Sequence, residues 1–416
     1  MAETLTIARI GARADGIAEA DGAAMFVPRT LPGERVSVAR DGPRARLLSV
    51  EAPSPERETP FCPYYESCGG CATQHMRPGF YQDWKRGTVV ETLRRAGIEA
   101  PVEPLVDAHG DGRRRITLHA RFPDGTLRVG YMEARSHAVV EIDHCPIAEP
   151  GLGEAAPRLA RALARALAGP RKPLDIQITL TEGGFDVDLR GHGPVGERTR
   201  QALIGLAEGL DLARLSVHGE ALVERRAPFL SMGRAGVVPP PGSFLQATRR
   251  GEAVLAGLAV EACAGAKRVA DLFSGAGAFA LRLAERAEVH AAEADRGAVA
   301  ALDRAARATP GLRRVTGEAR DLFRRPLLAH DLKGFDAVVL DPPRAGADAQ
   351  ARQIAESAVP LVVSVSCDAG TFARDARLLI DAGFRLERVV PVDQFKHSPH
   401  VELVGVLRRE AGRKRR

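Results

Sequence analysis

Short apolar runs broken by glycine and proline open the chain and predict β-strands. Residues 3–52 alternate such runs with turns, as in TLTIARIG, AAMFVPRTLPGERVSVAR and RARLLSV. Short strands at turn-punctuated spacing are typical of a small barrel of the OB type. The stretch APSPERETP at 52–60 has the composition of a linker. We therefore expect an OB-like barrel over residues 1–55.

The middle of the chain mixes helical and strand patterns. An amphipathic pattern, YQDWKRGTVVETLRRA, predicts a helix over about 81–96 that ends at Gly97. Alternating runs between 113 and 231 predict strands, and an Ala/Leu/Arg-rich run predicts a helix over about 154–168. The Pro-Gly break VVPPPGSF then marks the start of the last domain. We expect a central α+β domain over residues 56–240.

From Lys267 onward the pattern changes to regular strand–helix alternation. KRVADLF, EVHAAEAD, FDAVVLDPP and VPLVVSVSC have the composition of strands, and helical runs separate the first of them. This alternation is typical of a doubly wound, mostly parallel sheet. We expect an α/β domain over 241–416, whose basic end GRKRR at 412–416 is a solvated chain terminus.

Composition changes the picture little. The chain has 416 residues and a formal net charge of +6, which is compatible with a polyanionic partner but also follows from an arginine-rich composition. No apolar run approaches the length of a membrane helix, and the N-terminus lacks the apolar core of a signal peptide. We expect a cytoplasmic monomer with no membrane partner.

Cysteine spacing is the first chemical signal. Cys62, Cys68 and Cys71 form C-x5-C-x2-C in FCPYYESCGGCATQH, and Cys145 stands alone in DHCPI. Such a set could hold zinc or a [4Fe–4S] cluster, and spacing alone does not choose between them. Cys263 lies in a helical run and is expected in the core.

A glycine turn marks a candidate cofactor site. DLFSGAGAFAL at 271–281 follows a strand and opens a helix, with Asp271 and Phe273 at the strand end. Gly275 and Gly277 allow a tight turn and a close approach of the backbone to a ligand. A third glycine is missing, so the motif is not the G-x-G-x-x-G dinucleotide fingerprint.

Two acids extend this site. Glu293 ends the next strand, where a carboxylate can hold a ribose diol, and Asp321 follows the third strand, in reach of an adenine. A glycine turn with these two acids suits S-adenosylmethionine.

Two further strand ends carry candidate catalytic groups. DPPRAG ends the fourth strand with Asp341, and Arg344 stands where adenine N-methyltransferases carry an aromatic residue. Cys367 ends the fifth strand at the same sheet edge, so it is a candidate nucleophile. Uracil C5 becomes nucleophilic only after a group adds at C6, which a thiolate can do. Glu402 is the candidate base for the C5 proton.

These motifs together resemble the RNA 5-methyluridine methyltransferases, over nearly the whole chain. The matching stretches are FCPYYESCGGCATQH, DHCPI, SFLQAT, DLFSGAGAF, DPPRAG, SCDAGTFARD and SPHVE. The resemblance implies a class I Rossmann-like methyltransferase domain, an N-terminal TRAM domain and a [4Fe–4S] cluster held by the four cysteines. It implies RNA as the partner, and the barrel favours rRNA over tRNA.

The resemblance also assigns roles. It implies Cys367 as nucleophile, Glu402 as base and Asp341 near the target uracil. With the glycine-turn residues, the cofactor-binding set is Gln246, Asp271, Phe273, Gly275, Gly277, Glu293, Asp321 and Asp341. Departures from the family pattern are Ala278, Thr248 and the pair Asp368-Ala369, and they concern the fine geometry.

Other functions fit less well. An RNA cytosine-5 methyltransferase would need a second cysteine beside Pro342 and Pro343, and a radical methylthiolating enzyme would need C-x3-C-x2-C. A tRNA methyltransferase and a non-catalytic RNA-binding protein remain the alternatives. For RNA binding we expect the barrel and the central strands to contribute, with Arg113, Arg114 and Arg115 facing phosphates.

Overall fold

The computed structural model describes residues 2–20, 22–167, 173–191 and 193–410, so the basic end at 412–416 lies outside the described residues. The N-terminal strands β1–β6 form one sheet in the order β1-β5-β6-β4-β3-β2 around a core that includes Leu5, Val27, Val36 and Val38. They span Ala2–Thr6, Arg9–Ile10, Asp15–Ala20, Ala23–Pro28, Arg35–Asp41 and Arg44–Ala52. The predicted strands are present, and the TRAM assignment stays a prediction.

The middle of the chain forms a second sheet, in the order β10-β9-β8-β11-β12-β13-β14. The bounds are α1 Pro78–Arg95, β7 Val106–Asp107, β8 Arg115–Arg121, a 3₁₀ turn Pro123–Gly125, β9 Arg128–Met132, β10 Val139–Glu141, α2 Pro150–Ala166, β11 Leu174–Thr181, β12 Gly184–Arg190, α3 Glu197–Gly209, β13 Arg214–Val217, β14 Glu220–Glu224, β15 Leu230–Met232 and β16 Ala235–Val237. Leucines and alanines of α2 bury one face of this sheet, so the predicted α+β arrangement is present.

The last sheet runs in the order β19-β18-β17-β20-β21-β23-β22-β7. Its elements are α4 Arg249–Ala262, β17 Arg268–Leu272, α5 Ala280–Leu283, β18 Glu288–Glu293, α6 Arg296–Ala308, β19 Val315–Ala319, β20 Ala337–Leu340, α7 Asp348–Glu356, β21 Leu361–Ser366, α8 Ala369–Asp381, β22 Phe384–Asp393 and β23 Glu402–Arg409. The strands β17 to β21 are parallel, and β23 is antiparallel to β21 and β22. The carboxyl ends of the parallel strands therefore meet at one edge, where open α/β sheets bind ligands.

Residues 78–107 were expected in the central domain, but they pack on the C-terminal sheet. β7 pairs with the end of β22, and Val89 and Leu93 of α1 are buried in the same core as Phe384 and Leu386. A hydrophobic helix face does not reveal in the sequence which core will bury it. We therefore propose to count this segment with the last domain, while the boundaries 1–55, 56–240 and 241–416 otherwise stay a prediction.

The expected phosphate-facing cluster of Arg113, Arg114 and Arg115, at the start of β8, is wrong for two of its arginines. Arg114 is 1% exposed, pairs with Glu252 at 2.5 Å and donates to the backbone carbonyl of Gln246 at 3.0 Å. Arg115 donates to the carbonyl of Ser243. Both guanidinium groups thus bond to residues between 243 and 252, so they fix the contact between the central and C-terminal parts of the chain instead of meeting RNA. Within the described ranges, no helix has the length and hydropathy required to cross a membrane.

Candidate active site

A cavity of about 500 Å³ opens at the carboxyl edge of the last sheet. Most of the predicted cofactor and catalytic residues line it together. They are Gln246, Phe273, Gly275, Glu293, Asp321, Asp341, Cys367 and Glu402. Of the predicted residues, all of which the structure describes, Asp271 and Gly277 lie outside this lining. The ends of the parallel strands supply Asp341 and Cys367, and the antiparallel strand β23 begins at the same edge with Glu402.

The glycine turn forms one side of the cavity. Gly275 has φ +54°, and its backbone N–H donates to Oε2 of Glu293 at 3.1 Å. Gly277 has φ +104°, and a Cβ there would lie 2.4 Å from Cδ1 of Leu302. Gly275 therefore serves the ligand side of the turn, whereas Gly277 allows the turn to pack on α6.

Asp271 is buried directly before the turn. Within the described ranges no side chain pairs with its carboxylate, although the backbone N–H of Ala280 lies close enough to lower its pKa. Burial, and then the charge of Asp341, raise the pKa of Asp271 to about 8. An unpartnered buried acid destabilises a fold, so its presence beside a cavity points to a functional use.

Asp321 and two phenylalanines form another part of the lining. Oδ1 of Asp321 accepts the backbone N–H of Phe323 at 3.0 Å. The rings of Phe323 and Phe273 lie 5.4 Å apart, and the Phe323 side chain remains exposed at the cavity. Phe323 is not among the residues predicted from the sequence, although an aromatic residue two positions after the acid was a usable signal. An apolar wall beside an acid suits a flat, polar-edged ring such as adenine.

Cys367 follows β21 directly and lines the cavity. Burial, and then the charge of Glu402, raise the pKa of Cys367 to about 11, while the charge of Arg344 opposes this increase. Nη2 of Arg344 also lies 2.9 Å from Nε2 of His400. From the sequence, Arg344 served only as evidence against adenine methylation, and its position beside the Cys367 thiol was not predicted.

Glu402 belongs to a buried chain of hydrogen bonds. Nε2 of Gln394 donates to Oε1 of Glu402 at 3.1 Å and to Oε1 of Gln246 at 2.6 Å. Nε2 of Gln246 in turn donates to Oδ2 of Asp341 at 2.9 Å. Burial, and then the charge of Asp341, raise the pKa of Glu402 to about 8, and burial raises that of Asp341 to about 7. Gln394 had no signal in the sequence.

The departures from the family pattern have a structural explanation at two positions. Oγ1 of Thr248 accepts the N–H of Gly251 at 2.8 Å, and Oδ1 of Asp368 accepts the N–H of Gly370 at 2.9 Å. Both residues are therefore N-caps, of α4 and α8, where Thr and Asp replace Asn at little cost. Ala278 lines the cavity, and nothing in the structure explains its departure.

The four cysteines predicted to hold a cluster lie near one another on loops of the central domain. Burial raises the pKa of Cys62, Cys68 and Cys71, and a negative charge on Cys145 raises each of them further. A Cβ on Gly69 would lie 2.9 Å from the carbonyl oxygen of Met132, so the loop between the thiols packs tightly.

Metal binding at these thiols has no direct support in the structure. Among the residues it describes, no three or more His, Cys, Asp or Glu side chains are arranged to hold a metal ion. A [4Fe–4S] cluster uses each thiolate on a different iron, so its ligands spread more widely than those around one ion.

Comparison with known proteins identifies the family. The family model for tRNA (uracil-5-)-methyltransferases matches residues 241–410. An uncharacterized RNA methyltransferase of Caulobacter vibrioides is 46% identical over 98% of this chain and 100% of its own. The 23S rRNA (uracil(1939)-C(5))-methyltransferase RlmD of Halomonas elongata is 36% identical over 94% of this chain and 86% of its own.

The chain belongs to the family of RNA (uracil-5-)-methyltransferases. The family resemblance expected from the sequence is thereby confirmed, and so is the enzyme class. The tRNA (uracil-54, C5)-methyltransferase of Pyrococcus abyssi, solved in complex with S-adenosyl-L-homocysteine, has a TM-score of 0.76 with 23% identity, over 97% of this chain and 99% of its own. That likeness confirms the class I methyltransferase fold.

Proposed function

We propose that this RNA (uracil-5-)-methyltransferase methylates C5 of a uridine in 23S rRNA through a Cys367 adduct at C6, with Glu402 as the base. The observation that carries the proposal is that one cavity is lined by Cys367, Glu402 and Asp341 together with the acids expected to bind S-adenosylmethionine. A nucleophile, a base and a cofactor site that share a cavity are what addition, methylation and elimination require.

The residues around the glycine turn fit S-adenosylmethionine. Gly275 brings the backbone close to the ligand, Glu293 suits the ribose diol, and Asp321 beside Phe323 suits the adenine. Asp271 does not line the cavity, but it lies at the end of the strand directly before the glycine turn, so we assign its carboxyl group to the support of that turn. When bound, S-adenosylmethionine supplies the electrophilic methyl group.

Cys367 opens the reaction. Its sulfur forms a bond to C6 of uracil, and the electron pair of the C5–C6 double bond moves into the ring as an enolate that is nucleophilic at C5. Because burial raises the pKa of Cys367 to about 11, the thiol must first lose its proton, which passes to solvent water in the open cavity before the sulfur attacks. The adjacent cationic Arg344 favours the thiolate, so we assign Arg344 to the activation of Cys367.

Glu402 closes the reaction. After C5 carries the methyl group, the carboxylate accepts the C5 proton, the C5–C6 double bond forms again, and the C6–S bond breaks to release the Cys367 thiolate. Glu402 is 3% exposed, and its pKa of about 8 matches a base that operates near neutral pH. Gln246, expected from the sequence to bind the cofactor, donates a hydrogen bond of 2.9 Å to Asp341, so we assign it with Asp341 to the polar edge of the base instead.

Two observations favour rRNA as the substrate. A relative that shares 36% identity over most of the chain is named a 23S rRNA methyltransferase. The N-terminal sheet, which we assign to a TRAM domain, provides a separate surface for RNA. A tRNA target remains the second candidate, because the family model and the similar solved structure are both named for tRNA enzymes.

We infer further that Cys62, Cys68, Cys71 and Cys145 hold a [4Fe–4S] cluster. Their spacing, their proximity and the tight loop at Gly69 support this ligand set. Four thiolate ligands leave no open iron, so we assign the cluster to shaping the RNA-binding surface.

Mass mapping of 5-methyluridine in rRNA and tRNA from a deletion strain tests the proposed target. Loss of one modified position in 23S rRNA, restored by the wild-type gene but not by Cys367→Ala, is the expected result. Loss confined to tRNA would replace rRNA by tRNA as the substrate, and unchanged maps of both RNAs would contradict the proposed function.

A further inference from the structure

Gln394 is buried among the reactive groups but lies outside every motif recognised in the sequence. It follows the last residue of β22 and has no exposed surface. Its amide donates hydrogen bonds to Glu402, the predicted base, and to Gln246, which in turn donates to Asp341. It therefore connects the two acids of the cavity.

The orientation of the Gln394 amide is fixed by the backbone. The N–H of Ala247 donates to Oε1 of Gln394 at 2.8 Å, so Oε1 is the acceptor and Nε2 must point the other way. Nε2 then donates to Gln246 Oε1 and to Glu402 Oε1. Because Oε1 of Gln246 is thus an acceptor, its own Nε2 is turned toward Asp341.

The surroundings of Gln394 allow little movement. A Cβ on Gly251 would lie 2.6 Å from Cβ of Gln394, so glycine is required there, inside a helix where it is unfavourable. The neighbouring Asp393 forms a buried ion pair with Lys85 at 2.5 Å and accepts the hydroxyl of Tyr81 at 2.7 Å. Helix α1 therefore holds the chain rigidly at the point where Gln394 begins.

We propose that Gln394 is a positioning residue that fixes Glu402 for removal of the C5 proton and fixes the direction in which Gln246 presents its amide beside the target base. The inference rests on the proposed function, since it assigns a role within that reaction. Its main effect falls on the elimination step, which depends on the orientation and ionisation of Glu402.

Electrostatics support this assignment. Burial and the charge of Asp341 raise the pKa of Glu402, whereas the hydrogen bond from Gln394 and the charge of Arg344 lower it. Cys367 and His400 are the other titratable groups at this wall of the cavity. Removal of the Gln394 donor therefore raises the pKa of Glu402 and leaves less carboxylate at neutral pH.

The test compares Gln394→Met, which keeps the side-chain length but lacks the amide, with wild type and with a matched control. Gln350 supplies the control, because it is also buried and its amide bonds to the backbone of Leu327 outside the cavity. Formation and decay of the covalent protein–RNA complex are followed in single turnovers between pH 6 and 9.5. Circular dichroism verifies folding.

We expect Gln394→Met to form the complex and to release it about 10- to 100-fold more slowly than wild type, because one hydrogen bond to a charged group is lost. The pH at half-maximal release should rise by about one to two units. Gln350→Met should leave that midpoint unchanged, even if its melting temperature falls. If Gln394→Met does not fold, Gln394→Glu, which keeps the acceptor for Ala247, should show at least the same delay.

Two outcomes separate the claims. Wild-type release rates and midpoint in a folded residue-394 variant would overturn the role of Gln394 while leaving the proposed function intact. A wild-type protein that forms neither the complex nor 5-methyluridine would overturn the proposed function, and this inference with it.

Discussion

Replacement of Asp271 by asparagine should stabilise the protein while weakening its affinity for S-adenosylmethionine. The carboxyl group is fully buried, and within the described ranges no cationic side chain pairs with it. Asparagine has nearly the shape of the neutral carboxyl group but cannot ionise. The substitution therefore removes a charge-burial penalty without changing the packing of the turn.

The size of the effect follows from the proton uptake of Asp271. Burial raises its pKa from 3.8 to about 8, so between these values the folded protein binds a proton that the unfolded chain does not. The free energy of unfolding therefore decreases as the pH rises through this window and levels off above pH 8. At pH 7 the penalty amounts to at most about 4 kcal/mol.

Denaturant unfolding of wild type and Asp271→Asn at pH 4, 7 and 8.5 measures this effect. The two proteins should have nearly equal free energies of unfolding at pH 4, and the variant should be increasingly more stable than wild type at pH 7 and 8.5. Asp83→Asn, at an exposed site on α1, is the control and should show no such divergence. Calorimetric titration with S-adenosylmethionine should show weaker binding to Asp271→Asn. A variant less stable than wild type at all three pH values would refute the reasoning.

The other predictions concern the interface, the cluster and the base. Arg114→Met should lower the free energy of unfolding by about 1.5–3 kcal/mol, because Glu252 loses one of its two arginine partners and keeps Arg282. RNA affinity of the folded fraction should be retained, and selective loss of RNA binding at unchanged stability would contradict the interface role. Anaerobically purified protein should be brown, and Cys145→Ser should lose the colour, whereas colourless protein with stoichiometric zinc would exclude the iron–sulfur proposal. The rate of product release by wild type should increase with pH through about 8, the pKa of Glu402, because only the carboxylate form accepts a proton. A release rate that is constant from pH 6 to 9 would exclude Glu402 as the base.

The sequence predicted the C-terminal fold well because its signals are local. Each strand ends in a short motif, and the parallel arrangement brings the ends of those strands together, so the order of the motifs alone placed Asp341 and Cys367 at one edge. The helix pattern at 81–96 likewise predicted α1, which spans Pro78–Arg95.

Properties that depend on which surfaces meet were not predictable in this way. The three adjacent arginines at β8 had the pattern of a basic patch, yet Arg114 is buried against Glu252 because two domains meet there. Gln394 gave no signal, since a single glutamine becomes meaningful only when Gln246 and Glu402 are seen beside it. Such contacts join residues far apart in sequence, and no local pattern records them.

The most direct test of the central claim is a denaturing gel of the enzyme with S-adenosylmethionine and RNA that contains 5-fluorouridine at the target position. Wild type should form a protein–RNA complex that survives denaturation, because fluorine cannot leave C5 as a cation. Glu402→Gln should accumulate the same complex with unmodified RNA, and Cys367→Ala should form none with either RNA. Formation of 5-methyluridine by Cys367→Ala, or free release of the fluorinated RNA after methyl transfer, would contradict the account.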